Sequence, residues 1–326
     1  MANCHKNFLT GSDSFHSKIN LDESKVSSLR VSRDNLRKHI RAKFEELNRP
    51  KIKFKMQGSF DMNTTVNPLN GDYDIDDGVY FSPSLEERPT SVTVHNWIVD
   101  AAKSYKTVDP PIDKKRCVRV PFKSGYHVDF PIYDLVENNN GQEDSEPHLA
   151  VKLDGWIFSD PVKITNWFSK NVKDTQGQLR RIVRYFKAWA DYENQSTRPK
   201  MPSGLVLTIL ATEEFCFENG EDSAFGNTAS AIYDRLTDDE NIFNPVDSTE
   251  NLRNRITDVQ FFNFLERLDY LIRSAETAIE HSSKEEAAKH WKKRLGDRFP
   301  VYKDPENKAT KFAAVAPAIR KNTSSA

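Results

Sequence analysis

Three aspartates carry the chemistry that stands out in this sequence. Asp74 and Asp76 lie in Asp72-Tyr73-Asp74-Ile75-Asp76-Asp77-Gly78, and Asp129 lies in His127-Val128-Asp129-Phe130-Pro131-Ile132-Tyr133. On a strand, positions 74 and 76 share one face while Ile75 turns to the core. Two carboxylates this close repel each other. A divalent cation between them removes that penalty, and hard oxygen donors suit Mg²⁺. Asp129 sits among apolar neighbours, where a lone ionised side chain is expensive. If the strands pair, the three acids converge on one edge and can hold two Mg²⁺ about 4 Å apart. The matching chemistry is in-line displacement at phosphorus. One ion activates an attacking hydroxyl; the other holds a triphosphate and steadies the leaving pyrophosphate. Asp129 is the carboxylate best placed to help take the hydroxyl proton, directly or through metal. An acidic run standing alone is as often a solvated turn, and Asp72 and Asp77 read as turn or cap residues. The third acid in an apolar strand and a Gly-Ser break upstream favour a site.

That break is Gly58-Ser59, directly after Gln57. A glycine lets the backbone turn sharply and approach a ligand closely. Free N–H groups and the Ser59 hydroxyl can then cradle phosphate oxygens. Further along, Arg180, Arg184 and Lys187 form a basic stripe beside an apolar helix face of Leu179, Ile182, Val183, Phe186 and Ala190. Most such stripes are solvated surface. Lys187 lies at the border of the apolar face, where a point charge can turn into a cleft and meet β- and γ-phosphates. Ser203 follows Pro202 at a helix start. It reads as an N-cap, at an end that also favours a phosphate. Tyr73, Tyr80, Tyr126 and Tyr133 are given no role, since aromatic residues in strands are more often core.

The elements that must position these residues are legible in outline. A helical period runs from Ser24 to Leu47, with Val26, Leu29, Leu36, Ile40, Phe44 and Leu47 on one face. Lys51–Met56 and Tyr73–Phe81 read as strands separated by a polar loop over 61–72. Ser91–Tyr105 reads as a short amphipathic helix. Cys117–Phe122 and His127–Asp134 read as strands joined at Ser124-Gly125. Residues 1–23 look irregular, with little to bury, and 137–146 look like an acidic loop. Beyond about residue 155 the pattern turns helical, with starts expected near 161, 176, 203, 227, 258 and 284. Asp160-Pro161 reads as a cap and first-turn proline. Thr175/Gln178, Thr257/Gln260 and Ser283/Glu286 fit capping boxes. The expected organisation is an N-terminal lobe over 1–155 with its long helix at 24–47, a helical lobe over 156–305 and a flexible tail over 306–326. A cleft is expected between the lobes.

Composition limits the function further. The 326 residues allow about two domains. At 37% hydrophobic and 29% charged residues, the chain can build a sizeable core. Forty-seven basic residues against 48 acidic ones leave a net charge of −1, so no global basic field exists to hold duplex nucleic acid. Cys4, Cys117 and Cys216 form neither a disulfide framework nor a zinc-ligand set. The longest apolar run, around Gly204–Ala211, is far short of the roughly 20 residues a bilayer needs. The start, MANCHKNFLT, has no apolar secretory core. A cytoplasmic protein without a membrane partner is expected.

The series GSF…DYDIDDGVYF…HVDFPIYD resembles the cGAS/DncV-like nucleotidyltransferases (CD-NTases) of the DNA polymerase β-like superfamily. The form DIDDGVYF, followed by RYFKAW and PSG, resembles the bacterial members, and the resemblance runs from the first long helix to Arg298-Phe299-Pro300. It implies an α+β fold: a polymerase β-like core of mixed sheet and flanking helices joined to a helical C-terminal lobe, with the active site in the cleft. It implies that Asp74, Asp76 and Asp129 are the catalytic, Mg²⁺-binding triad, with two ions and Mn²⁺ as a substitute. Gly58 and Ser59 match the phosphate-holding turn, and Gln57 the same pocket. Lys187 and Ser203 match the pair that holds the donor triphosphate. The implied function joins NTPs, at least one a purine NTP, into a cyclic di- or trinucleotide with release of pyrophosphate, in bacterial anti-phage (CBASS) signalling. DNA activation is not expected, because the family's DNA sensors carry an inserted zinc site that finds no match here. Some members are conjugated through their C-terminus by an accessory enzyme; for Asn322–Ala326 this reading stands beside a plain disordered end. Three other readings stay open: a linear synthase of the oligoadenylate type, transfer of a nucleotide to protein or tRNA, and a silent nucleotide-binding scaffold. Retention of all three acids argues against the last.

Overall fold

Two short helices, α1 (His5–Leu9) and α2 (Phe15–Ile19), precede the long α3 (Glu23–Glu46) in a computed structural model that describes residues 2–83, 87–105, 109–135, 146–196 and 199–303. Asp22 caps α3 by accepting from the Lys25 N–H. Its apolar stripe buries Leu29, Leu36, Ile40 and Phe44. Asn48, in the left-handed region at φ 50°, turns the chain away after the helix.

The sheet follows. Its members are β1 (Lys53–Gln57), then after the single turn α4 (Gly58–Asp61), β2 (Tyr73–Phe81). After α5 (Ser91–Lys103) come β3 (Ile112–Asp113), β4 (Val118–Phe122), β5 (Tyr126–Phe130), β6 (Ile132–Leu135), β7 (Pro147–Val151) and β8 (Gly155–Phe158). β1 runs antiparallel along one edge of β2. β5 and β6 run parallel along the other edge, pairing with Tyr73–Asp76 and Val79–Phe81 in turn. They are one line of chain broken at Pro131, whose carbonyl accepts from the Val79 N–H at 2.8 Å. Proline has no N–H to give the ladder, which is why the strand expected over 127–134 appears as two. One core lies between this sheet and α3 and α5, where Leu36, Ile40, Ile75, Val79, Ile98, Val120 and Val128 pack together.

The helical lobe contains α6 (Pro161–Val172), α7 (Gln178–Ser196), α8 (Gly204–Glu213), α9 (Glu221–Asp238), a ribbon of β9 (Phe243–Asn244) and β10 (Asp247–Asn251), α10 (Asp258–Glu280) and α11 (Lys284–Leu295). Its core gathers Phe168, Phe186, Trp189, Leu210, Phe225, Phe264 and Trp291. The Thr257/Gln260 capping box forms in both directions, and Asp160 caps α6 with proline in the first turn.

Several expectations need correction. Residues 1–23 were expected to bury little, yet Phe8, Phe15 and Ile19 are fully buried. Phe8 packs on Tyr185, Trp291 and Phe299 at ring distances of 5.2, 5.0 and 4.9 Å, so the start of the chain joins the helical core. Five-residue helices are too short to display a period. The Thr175/Gln178 box does not form: Gln176 and Gly177 take positive φ, and the Gln178 amide donates to the Glu218 carbonyl and to Glu221. α9 begins at Glu221, not near 227, because its polar first turn is buried through an ion pair of Glu221 with Arg181 and an N–H bond from Cys4 to Asp222. β7 and β8 were not anticipated. The expected acidic loop, up to residue 145, and the tail over 306–326 lie outside the described residues. Among the described residues no helix is long and apolar enough to cross a membrane.

Candidate active site

Strand alternation on β2 sorts four acidic and apolar residues onto two faces. Ile75 enters the sheet core. Asp77, also on that side, is fully buried in mid-strand and paired with Arg37 of α3, so it is neither a turn nor a cap. Asp74 and Asp76 face the other way, into a cavity of about 470 Å³ that Gly58, Ser59, Thr64 and Lys187 also line. The parallel register sets Asp74 beside His127 and Asp76 beside Asp129. Asp129 therefore stands beside Asp76 across the strand pair, although it is not itself on the cavity wall.

The environments of the three aspartates differ. Asp129 accepts two hydrogen bonds from Arg119, from Nε at 2.9 Å and Nη2 at 2.8 Å, and its Oδ1 lies 3.0 Å from His127 Nδ1. Burial alone would raise the Asp129 carboxyl, but His127 and Arg119 outweigh it and hold the group below its ordinary range. Asp74 is raised, by burial first, with Asp129 adding to the rise and His127 opposing it. Asp76 is pushed well above the carboxylate range by burial and by the charges of Asp74 and Asp129. Ligand atoms of Asp74, His127 and Asp129 all lie within 4.8 Å of one another. The oxygens of Asp74 and Asp129 in this cluster, with the neighbouring Asp76, fit a divalent cation, which would restore the two raised acids, Asp74 and Asp76, to the ionised form.

Gly58 ties the phosphate turn to this cluster. It takes φ +69°, and a Cβ there would collide with Asp76 Oδ2. Only glycine permits that approach. The Ser59 hydroxyl pairs with Thr65 Oγ1 at 3.0 Å. Lys187 reaches into the cavity and donates to Thr64 Oγ1 at 2.7 Å. Burial, with the charge of Arg184, pushes the Lys187 ammonium down to about 7 against the pull of Asp74 and Asp76. Ser203 caps α8, accepting from the Val206 N–H at 3.4 Å. It is not itself on the cavity wall, although Pro202 and Gly204 are. A Cβ on Gly204 would lie 3.4 Å from Lys187 Cε, so this helix start faces the lysine.

Gln57 does not line the cavity. Paired with Asp76 across β1 and β2, it lies on the same sheet face as that acid but reaches along the sheet beside the cavity, where its amide donates to Tyr133 Oη at 3.0 Å and its Oε1 lies over Gly78. Of the four tyrosines, Tyr73 reaches the cavity, whereas Tyr80 and Tyr133 stack on each other at 4.7 Å. Sequence reasoning missed Arg119, His127, Thr64 and Thr65. The signal for the first two is cross-strand register: the hairpin at Ser124-Gly125 sets Arg119 opposite Asp129, and His127 shares a face with it at i−2.

Among curated relatives, the cyclic GMP-AMP synthase of Escherichia albertii is 29% identical over 259 residues, covering 77% of this chain and 56% of that protein. The cyclic AMP-AMP-AMP synthase of an Acinetobacter strain is 24% identical over 284 residues, covering 82% and 77%. The chain thus spans little more than half the length of the first of these relatives. Residues 52–133 match the family described as cyclic GMP-AMP synthase DncV-like, nucleotidyltransferase domain. The chain is thus similar to the bacterial CD-NTases. The matched segment contains the Gly58-Ser59 turn and all three aspartates. The CD-NTase fold extends beyond it: the structure of Vibrio cholerae DncV bound to a linear intermediate superposes with a TM-score of 0.77 at 19% identity, over 92% of this chain and 98% of that one. The apo form of the same enzyme gives 0.77 at 20% identity, over 91% and 96%. The α+β architecture expected from the sequence, a mixed-sheet nucleotidyltransferase core with a helical lobe, is therefore the observed one.

Proposed function

We propose that this protein is a cyclic oligonucleotide synthase that joins NTPs, at least one of them a purine NTP, into a cyclic di- or trinucleotide and releases pyrophosphate. The observation that carries the reading is the β2–β5 register, which sets Asp129 beside Asp76, while Asp74 and Asp76 line a cavity with Gly58, Ser59 and Lys187. The names of the curated relatives, cyclic GMP-AMP and cyclic AMP-AMP-AMP synthases, support it.

In this reading Asp74, Asp76 and Asp129 hold two Mg²⁺, or Mn²⁺ in their place. Bound there, the ions supply positive charge to the triphosphate and ease departure of pyrophosphate. The remaining work falls to the chain. Gly58 and Ser59 bring backbone N–H groups and a hydroxyl to the phosphates. Lys187 and the Ser203 end of α8 neutralise the outer phosphates. Asp129, kept ionised by Arg119, takes the proton of the attacking ribose hydroxyl as the new P–O bond forms and the bond to pyrophosphate breaks. Gln57, paired with Asp76 on the same sheet face, belongs to the same phosphate-binding pocket. A second transfer closes the linear product into a ring. Anti-phage CBASS signalling in the cytoplasm follows from the resemblance of DIDDGVYF, RYFKAW and PSG to bacterial members.

The test is incubation with the four NTPs and Mg²⁺ or Mn²⁺, then phosphatase. Labelled small product that survives phosphatase supports ring closure. Product fully consumed by phosphatase points to a linear synthase, and label recovered in macromolecule points to transfer onto protein or tRNA.

A further inference from the structure

A second cavity, of about 230 Å³, shares Thr65 with the nucleotide cleft. Arg184 of α7 forms its inner wall; Arg30 of α3 and Asn63 stand at its exposed rim. Arg184 Nη1 donates to Asn20 Oδ1 at 2.7 Å, but its Nε is buried without a partner. Burial lowers the Arg184 pKa, and the neighbouring charge of Arg180 lowers it further. Arg30 lies over the Phe60 ring at 5.6 Å. Some other arginines in this fold are matched with acids, such as Arg37 with Asp77, Arg119 with Asp129 and Arg181 with Glu221, while Arg180 donates to the Met62 carbonyl. Among the described residues, neither Arg30 nor Arg184 has a carboxylate within 4.0 Å. Two guanidinium groups thus face one small cavity with no negative charge to balance them. The unused N–H of a buried guanidinium is costly, and an oxyanion is the partner its fork geometry matches. Asn63 and Thr65 add neutral donors.

We propose that this cavity is a binding site for a phosphate-class oxyanion, held by Arg30 and Arg184 and separate from the nucleotide cleft. Its volume is below the roughly 300–1,000 Å³ typical of drug-sized ligands, so inorganic phosphate or pyrophosphate fits better than a nucleotide. Thr65 lines both cavities, and its hydroxyl is bonded to Ser59 at 3.0 Å. Occupancy of the second site is therefore felt at the phosphate turn. The assignment holds whether or not the cleft transfers nucleotides.

The test is isothermal titration of the full chain in EDTA with phosphate, pyrophosphate and acetate. Arg184→Gln, Arg30→Gln and Lys187→Met are compared with the unaltered protein. A saturable site for phosphate or pyrophosphate that survives in Lys187→Met is expected, with the tighter of the two identifying the source. Arg184→Gln and Arg30→Gln should weaken binding at this site about ten-fold or more, whereas Lys187→Met should keep it and lose only phosphate or pyrophosphate held in the nucleotide cleft. Arg30 is exposed at the rim, so its replacement leaves the fold intact even where Arg184→Gln lowers the melting temperature. The proposal fails if no saturable binding occurs, if acetate binds as tightly, or if Lys187→Met abolishes binding that both arginine variants keep.

Discussion

Arg119 and Asp129 face each other across β4 and β5 and share two hydrogen bonds, of 2.9 and 2.8 Å. The pair fixes the orientation of Asp129 and keeps it ionised, while Asp74 and Asp76 beside it are raised. Arg119 is therefore a positioning residue for the third acid. Arg119→Gln should reduce kcat/KM by roughly 10–100-fold, the range seen when the partners of metal ligands are removed. The sign for pH is fixed by the depressed Asp129: removing Arg119 raises its carboxyl, so the acid limb of the pH–rate profile should move to higher pH. A profile that merely drops without moving would assign Arg119 a structural role only.

Crowded acids predict an unusual stability response. Asp76 has a folded-state pKa above its unfolded one, so between those values the folded protein binds more protons. Without divalent ions, this group's contribution to stability is lost as pH rises through that window. Asp74→Asn/Asp76→Asn should therefore melt higher than the unaltered protein in EDTA at pH 8, and the gap should close towards pH 4. Mg²⁺ should raise the melting temperature of the unaltered protein and leave the double variant unmoved. Thermal melts with and without EDTA decide it; a double variant that melts lower at pH 8 would contradict the reading.

Gly58 tests the link between turn and acids. Gly58→Ala places a methyl group against Asp76 Oδ2 at φ +69°. Strain of about 1–3 kcal/mol is expected for a non-glycine residue held in such a sparsely populated conformation. The turn must shift to relieve the clash, so activity should fall by about 100-fold or more, since an ångström of misplacement is enough for that. Gly11, also at positive φ but with open space around it, serves as the control: Gly11→Ala should leave turnover unchanged. Equal losses in the two variants would mean that backbone strain alone, not the approach to Asp76, makes the difference.

What the sequence disclosed tracks how local each signal is. Tyr73–Phe81 was legible because acids and apolar residues alternate on it, and its bounds agree with β2. The meeting of Asp76 with Asp129 was conditional on strand pairing, which the parallel register now supplies. Arg119 and His127 stayed hidden because their meaning depends on where the hairpin folds, not on their neighbours in sequence. Gln57 shares the face of its strand partner Asp76, yet its amide is taken up by Tyr133 beside the cavity, a partner that adjacency to Gly58 does not disclose. Phe8 and Phe15 were passed over because their partners, Tyr185 and Phe299 among them, lie far along the chain.

Lys187 gives the last prediction, because its charge depends on its ligand. Burial and Arg184 hold its ammonium down to about 7, so at pH 8 it is mostly neutral in the free protein. A triphosphate beside it favours the charged form and raises that value. Nucleotide binding at pH 8 should then draw up to about one proton from solution, while binding near pH 5.5, where Lys187 is already charged, should draw none. Calorimetry in buffers of different ionisation enthalpy measures this uptake directly. Lys187→Met should abolish the buffer dependence and weaken binding at every pH, whereas Lys187→Arg, charged throughout, should abolish only the uptake. Uptake that persists in both variants would place the titrating group elsewhere in the cleft.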